Sequence, residues 1–297
     1  MRRKLVSFDW AMKKLLRSKA NFGILEGFLS ELLNEEITVI QVLESESNKE
    51  ESDDKFNRVD LKVMDSNKKI VIIEVQFERQ FDFLQRILYG TSKVIIEHLK
   101  ENDAYSEVSK VISVNILYFN LGEGCDYIYY GKTRFYGLHS KSELKLSDKQ
   151  KELFKVEKVS DIYPEYYLLE VSNFNDIAKN SLDEWIYFLK NEEIKDDFSA
   201  KGLQEAKQKL DVMKMSDEER REYEDYQKQL HQKASMYQSH YLSGRMDGKK
   251  EGKEEGKQEE KCNVARKMIQ KNLPIADIVE MTGLSREKIE KLKRQEV

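Results

Sequence analysis

The sequence predicts an α/β fold followed by a helical C-terminal third, and three stretches carry that expectation. Residues 58–76 read RVDLKVMD, a polar SNKK turn, then IVIIEVQ, two β-branched arms around a turn that spell a β-hairpin. Lys110–Phe119 (KVISVNILYF) is apolar on both faces and therefore a central strand. From about Ala200 to Gln258 the chain becomes polar and helical, with few apolar anchors.

The remaining elements follow in order. Apolar residues recur at helical spacing from Phe8 to Leu33, with a break around Ser18–Gly23, which gives two short helices. Ile37–Leu43 is the first strand. The acidic run ESESNKEESDDK then forms a solvated loop into the hairpin, and its charge repels phosphate. Phe81–Leu99 is a helix whose packing face is marked by Leu84, Leu88, Ile95 and Leu99. Arg86, Tyr89 and Lys93 share a different face of it, either a solvated surface or a contact surface. Asp126–Tyr136 and Tyr166–Val171 supply further strands, the first with aromatic alternation that fits a half-buried sheet face. Asn175–Lys190 is a packing helix.

The chemistry sits in the hairpin. Strand alternation puts Asp60 and Lys62 on one face of the first arm, and Glu74 and Gln76 on one face of the second. The second arm is otherwise apolar, so Glu74 falls in a buried strand, where a carboxylate needs a partner or a metal. Two carboxylates that converge across a hairpin suit a hard divalent cation, which takes oxygen ligands and keeps several waters. The blander alternative makes Asp60 and Glu74 surface ion-pair partners of Lys62 and nearby lysines, against which the apolar setting of Glu74 argues.

Asp60 followed by Glu74-Val75-Gln76 resembles the PD-(D/E)XK nuclease core, with Gln76 where Lys is commonest. The ordered blocks FDWAMKKLL, DLKVMD, IIEVQ, FLQRILYGTSKVI, VISVNILYFNLG and LDEWIYFLK, from about Ser7 to Asn191, are similar to the Rpn family of recombination-promoting nucleases. Those proteins are also described as PD-(D/E)XK family transposases. The resemblance implies a restriction-endonuclease-like core, αβββαβ with a mixed central sheet, over residues 1–200. It further implies Mg²⁺ or Mn²⁺ held by Asp60, Glu74 and the Val75 carbonyl, and hydrolysis of phosphodiester bonds in DNA. Gln76 would orient the water, while Lys62 and Arg86 are the substitute cations for the missing Lys. Arg86 and Tyr89 lie in a matching block on the helix that borders such sites, and Lys93 continues their face. Asp9 lies in the matching N-terminal block and either approaches the metal or simply serves the helix dipole. The competing reading keeps the nuclease fold without cutting, as a DNA-binding or oligomeric interaction protein.

Composition narrows the class. Of 297 residues, 36% are charged, Pro occurs twice and the net charge is −4, so any contact with DNA must come from local basic patches. Cys125 and Cys262 lack metal-site spacing, which argues for reduced thiols and no zinc. The start MRRKLVSFDWAMKKLL has no apolar run of signal type and no segment is apolar enough to span a bilayer, so the expected location is the cytoplasm, without a membrane.

Beyond the core, residues 201–260 read as a charged helical spacer in which Gly244, Gly248, Gly252 and Gly256 recur every four residues. They line one face, where a close helix–helix contact could form a homo-oligomer. Residues 261–297 read as a small helix-turn-helix-like module of three short helices, with Pro274 in the first turn of the second and Ser285 capping the third. The last helix offers Arg286, Lys288, Lys291 and Lys293, interleaved with Glu287 and Glu290, either to DNA or to helix packing.

Overall fold

Among the described residues six strands make one sheet: β1 Val39–Leu43, β2 Leu61–Asp65, β3 Ile70–Gln76, β4 Val111–Leu117, β5 Ile128–Lys132 and β6 Glu165–Glu170. The computed structural model describes residues 5–43, 60–99 and 102–295, so the acidic run expected as a solvated loop lies outside the described residues. The sheet order is β1-β2-β3-β4-β6-β5. β2 runs antiparallel to both its neighbours β1 and β3, while β3, β4 and β6 run parallel and β5 returns antiparallel on the far edge. The sheet is thus open and mixed, and helices followed by three strands, a helix and a fourth strand give the predicted αβββαβ core with a helical tail.

The hairpin closes as its residues dictate. Asp65, at the end of β2, accepts hydrogen bonds at Oδ1 from the Asn67 and Lys69 amides (2.9 and 2.7 Å), and Lys68 takes φ +60°. That fixes the pairing of Leu61 with Ile73 and of Lys62 with Ile72. A parallel strand needs a crossover, supplied here by helix α3, Phe83–Glu97.

Helix α3 covers one face of the sheet. Phe83 and Ile87 pack on Leu117 at one end, and Val94 packs with Ile70, Ile72 and Val111 at the other. The sequence points to Leu84 and Leu88 as its packing face, but the structure leaves them 53% and 59% exposed and buries Phe83, Ile87, Gly90, Thr91 and Val94. The helix carries apolar residues on two faces, and the sheet takes the one where Gly90 and Thr91 permit close approach. The opposite face of the sheet is covered by α1 (Phe8–Lys14), α2 (Phe22–Leu33) and α5 (Ser181–Asn191). Phe8 packs edge-on against Phe28, Trp185 and Phe188, with centroids 5.4–6.2 Å apart. Tyr118, one residue past β4, enters this layer and donates to the Leu189 carbonyl at 2.6 Å.

Several boundaries differ from the sequence reading. The strand expected over Asp126–Tyr136 is regular only through Lys132, and Tyr136 instead bridges to Glu143. An additional helix, α4 (Asp148–Phe154), begins at Ser147, which forms a capping box with Gln150. Beyond α5, helix α6 (Leu203–Lys209) buries Leu203 and Ala206 against α2, so the polar stretch after residue 200 begins inside the packed core. Helix α7 then runs unbroken from Asp217 to Gln270, through the four glycines and through the first of the three short helices expected near the end.

The chain divides into two compact units, Met1–Tyr223 and Glu224–Val297. Tyr223 fixes the start of α7 to the first unit, its ring 5.3 Å from that of Trp10 and its hydroxyl accepting from the Ser7 amide. In the second unit the end of α7 packs with α8 (Ile275–Thr282) and α9 (Arg286–Gln295) through Ala265, Met268, Ile278, Leu284, Ile289 and Leu292. Pro274 stands just before α8 as its N-cap, and the Ser285 hydroxyl accepts from the Lys288 amide as expected of a cap.

Two glycines of helices should respond oppositely to alanine. A Cβ at Gly27 would stand 2.3 Å from the Lys201 carbonyl oxygen and 2.8 Å from the Gly202 Cα, where α2 meets the start of α6. We predict that Gly27→Ala lowers unfolding free energy by about 1–3 kcal/mol in urea titrations. Gly252→Ala, with nothing within 4 Å, should raise the local helix stability by about 0.5–1 kcal/mol, read as slower amide exchange in α7.

Candidate active site

The site begins with the register of β2 against β3. Leu61 pairs with Ile73, so continuing the ladder by one residue sets Asp60 opposite Glu74 on the face that α3 covers. Asp60 then reaches across the strand: its Oδ2 accepts from the Val75 amide at 2.7 Å. In a strand a residue's N–H and C=O face the same neighbour, so the Val75 carbonyl is directed to this same edge. The Asp60 carbonyl, in turn, accepts from Arg17 Nη2 at 3.0 Å.

Glu74 is the group under strain of solvation. It is only 6% exposed, and its Oε2 is buried without a hydrogen bond. Arg86, from the first turns of α3, approaches that oxygen to 3.8 Å, close enough for charge attraction but too far to hydrogen-bond. Burial raises the Glu74 carboxyl from its ordinary range to about 7; Arg86 opposes the rise and the neighbouring Asp60 charge adds to it. Arg86 itself is held by Gln80, whose Oε1 accepts from Nη1 at 3.0 Å. Gln76 shares the Glu74 face, and its Nε2 donates to the Glu78 carbonyl at 3.3 Å, which leaves the amide oxygen as the acceptor turned away from that bond.

The structure therefore brings together Asp60, Glu74, the Val75 backbone, Gln76 and Arg86, and places the other expected residues elsewhere. Lys62 faces α3 as alternation requires, but its ammonium is paired with Glu97 at the far end of that helix (3.1 Å). Asp9 is buried in α1, across the sheet, where its charge together with that of Glu192 adds to the burial that raises the Tyr118 hydroxyl. Tyr89 is 44% exposed on α3 and Lys93 is half-buried one turn beyond. The two glutamates of α2 have structural tasks: Glu26 accepts from the Val39 amide, and Glu31 from Ser181 and Lys201.

Three neighbours were not among the sequence candidates. Asn115 on β4 is the register partner of Glu74, fully buried, with its Nδ2 donating to Ser113 Oγ and the Tyr167 carbonyl and its Oδ1 accepting nothing. A lone amide in the apolar run VISVNIL is the sequence signal for it. Gln80 and Arg17 act through others, and nothing in their local sequence sets them apart.

Among the described residues no three His, Cys, Asp or Glu side chains cluster to hold a metal. Two carboxylates, one carbonyl and waters are nonetheless a set that Mg²⁺ accepts, and the buried Glu74 oxygen without a donor fits a cation.

The family described as PD-(D/E)XK nuclease family transposase matches residues 6–240, most of the chain. The chain belongs to this family. No curated protein and no solved structure matches it. Gln76 shares the Glu74 face of β3, and Arg86 is the cation within 4 Å of Glu74 among the described residues. The described residues include no helix long and apolar enough to cross a membrane.

The raised Glu74 carboxyl has a testable sign. The folded protein holds this proton up to about pH 7, whereas the unfolded chain releases it near 4.5. Folding stability should then fall as pH rises between those values, by on the order of 3 kcal/mol. We predict that Glu74→Gln flattens this part of the urea-denaturation profile, and that added Mg²⁺ restores stability at pH 8 in the wild type and not in the variant.

Proposed function

We propose that this chain is a metal-dependent DNA endonuclease that hydrolyses phosphodiester bonds. The observation that carries the reading is the buried, undonated Glu74 oxygen set beside Asp60 on one face of the β2–β3 pair. Charge of that kind is costly to bury and is retained where a counter-charge arrives in use. Asp60, Glu74 and the Val75 carbonyl would hold Mg²⁺ or Mn²⁺, which when bound lowers the pKa of a water and offsets charge on the attacked phosphate.

The chain's own residues supply the rest. The Val75 N–H bond keeps Asp60 Oδ2 at the edge of β3, beside Glu74. Gln76 offers an amide oxygen that accepts from the attacking water and orients it. It takes no proton, so the proton passes to solvent or to the phosphate. Arg86 presents a planar fork whose Nη2 can leave Glu74 for a phosphate oxygen while Gln80 retains Nη1. Tyr89 and Lys93, farther along α3, would contact the backbone of the bound strand. Lys62, engaged by Glu97, holds the hairpin to α3, and Asp9 braces the opposite layer. DNA is the substrate that follows from the family; strand transfer has no residue here that points to it.

The test is conversion of supercoiled plasmid to nicked or linear form in Mg²⁺ or Mn²⁺, with and without EDTA. Glu74→Ala and Asp60→Asn should each reduce cleavage at least about 100-fold, and Arg86→Ala about 10- to 100-fold, with plasmid retention largely kept. Retention by wild type and Glu74→Ala alike, with cleavage by neither, would make the chain a nuclease-fold DNA-binding protein.

A further inference from the structure

The second unit ends in an arrangement that the proposed cleavage chemistry does not use. Helix α8 stops at Thr282, the three residues Gly283–Ser285 turn, and α9 begins at Arg286. Gly283 takes φ +65°, the left-handed conformation that favours glycine, and its amide donates to the Val279 carbonyl, closing α8. The Thr282 hydroxyl donates to the Ile278 carbonyl and accepts from the Leu284 amide, so the turn is built from its own side chains. Ile278, Leu284, Ile289 and Leu292 close on Ala265 and Met268 of α7, which makes the pair α8–α9 one side of a three-helix core. Two helices joined by a three-residue turn with glycine, on a third helix, are the frame of a helix-turn-helix.

The charge of this unit's C-terminal half differs from that of the chain. Residues 261–297 hold nine Lys/Arg against five Asp/Glu, a net +4 in a protein whose total is −4, so the remainder carries −8. Helix α9 alone reads REKIEKLKRQ, with only Ile289 and Leu292 buried. Around it Arg286 is paired with Glu290 at 3.1 Å. Lys288, Lys291, Lys293 and Arg294 are exposed, and among the described residues none has a carboxylate within 4 Å. Four exposed cations on one short helix, in an otherwise acidic chain, match a polyanion. Glu287, exposed in the first turn, is the type of side chain that accepts from a cytosine amino group in a major groove.

We propose that Glu224–Val297 carries a helix-turn-helix in which α9 enters the major groove of duplex DNA, with Lys288, Lys291 and Arg294 on phosphates. This gives the chain a duplex-binding surface separate from the Asp60–Glu74 site. The substrate being DNA rests on the endonuclease reading; the basic turn-and-helix frame does not.

The experiment is fluorescence anisotropy of the full chain with a labelled random-sequence 30-base-pair duplex, in EDTA, over a range of salt. The triple substitution Lys288→Glu, Lys291→Glu, Arg294→Glu should weaken binding at least about ten-fold and lower the salt dependence of log affinity by about three, one for each phosphate contact. Lys288→Arg with Lys291→Arg should retain binding, which separates charge from helix integrity, with circular dichroism to confirm that helix content is unchanged. Duplex affinity equal in wild type and the triple variant overturns the proposal. So does a triple variant that alters only the oligomeric state in light scattering, since α9 would then be a self-association surface. Loss of plasmid nicking with duplex binding intact removes the endonuclease reading and leaves this one standing.

Discussion

A carboxylate buried against a sheet without a hydrogen-bond donor is costly, and Glu74 imposes that cost on every element around it. Its strand, β3, is otherwise apolar and sits between β2 and β4, so water cannot reach the group from either edge. The nearby charges act in opposite senses: Arg86 draws the proton off and Asp60 keeps it on. Neither cancels the desolvation. For that reason the placement of α3 matters more than its sequence suggests. Phe83 and Ile87 on Leu117 fix the end that carries Arg86, while Lys62 with Glu97 and Val94 on Ile70 fix the other. The Lys62–Glu97 pair is thus part of the site's scaffold.

The opposite layer supports the same point from behind. Arg17, just past α1, donates to the carbonyl of Asp60, the residue just before β2. The aromatic cluster of Phe8, Phe28, Trp185 and Phe188 holds α1 to α2 and α5, so the position of Arg17 is inherited from a packed core. Gly27 lets α6 close over α2 at backbone distance. The polar residues just after 200 are therefore tied to the hairpin through α2 and α1.

How much of this was legible in the sequence depends on whether the signal is local. The hairpin was, because β-branched arms, a polar turn and two-residue alternation state both strands and the shared face of Asp60 and Glu74. The partner of Lys62 was not: alternation gives the face of a side chain, and the identity of the residue it meets on α3 comes from tertiary packing. The packing face of α3 was misread for a related reason, since Leu84 and Leu88 form as regular a stripe as Ile87 and Val94, and only the sheet chooses between them. Helix α4 was legible, with Ser147 just before it and Gln150 three residues on as the two halves of a capping box. The break expected near residue 260 rested on a change of composition, and a helix continues through such a change when no Pro or turn residue stops it. The turn at Gly283–Ser285 was legible because glycine, a cap and two apolar anchors stand at fixed offsets.

Gln76 and the raised carboxyl of Glu74 are linked by their shared face of β3. A Lys ammonium at position 76, on the same face of β3 and two residues from Glu74, would oppose the desolvation that raises that carboxyl. Gln contributes no charge, and Arg86 at 3.8 Å opposes only in part, so the proton stays on to about pH 7. A cation that binds Glu74 must then displace a proton near neutrality, and its affinity rises with pH through that range. The two arms of the Arg86 fork are held differently: Gln80 accepts from Nη1, while Nη2 lies 3.8 Å from Glu74. The positive charge beside Glu74 is therefore, among the described residues, carried by the helix above the strand and not by the strand itself.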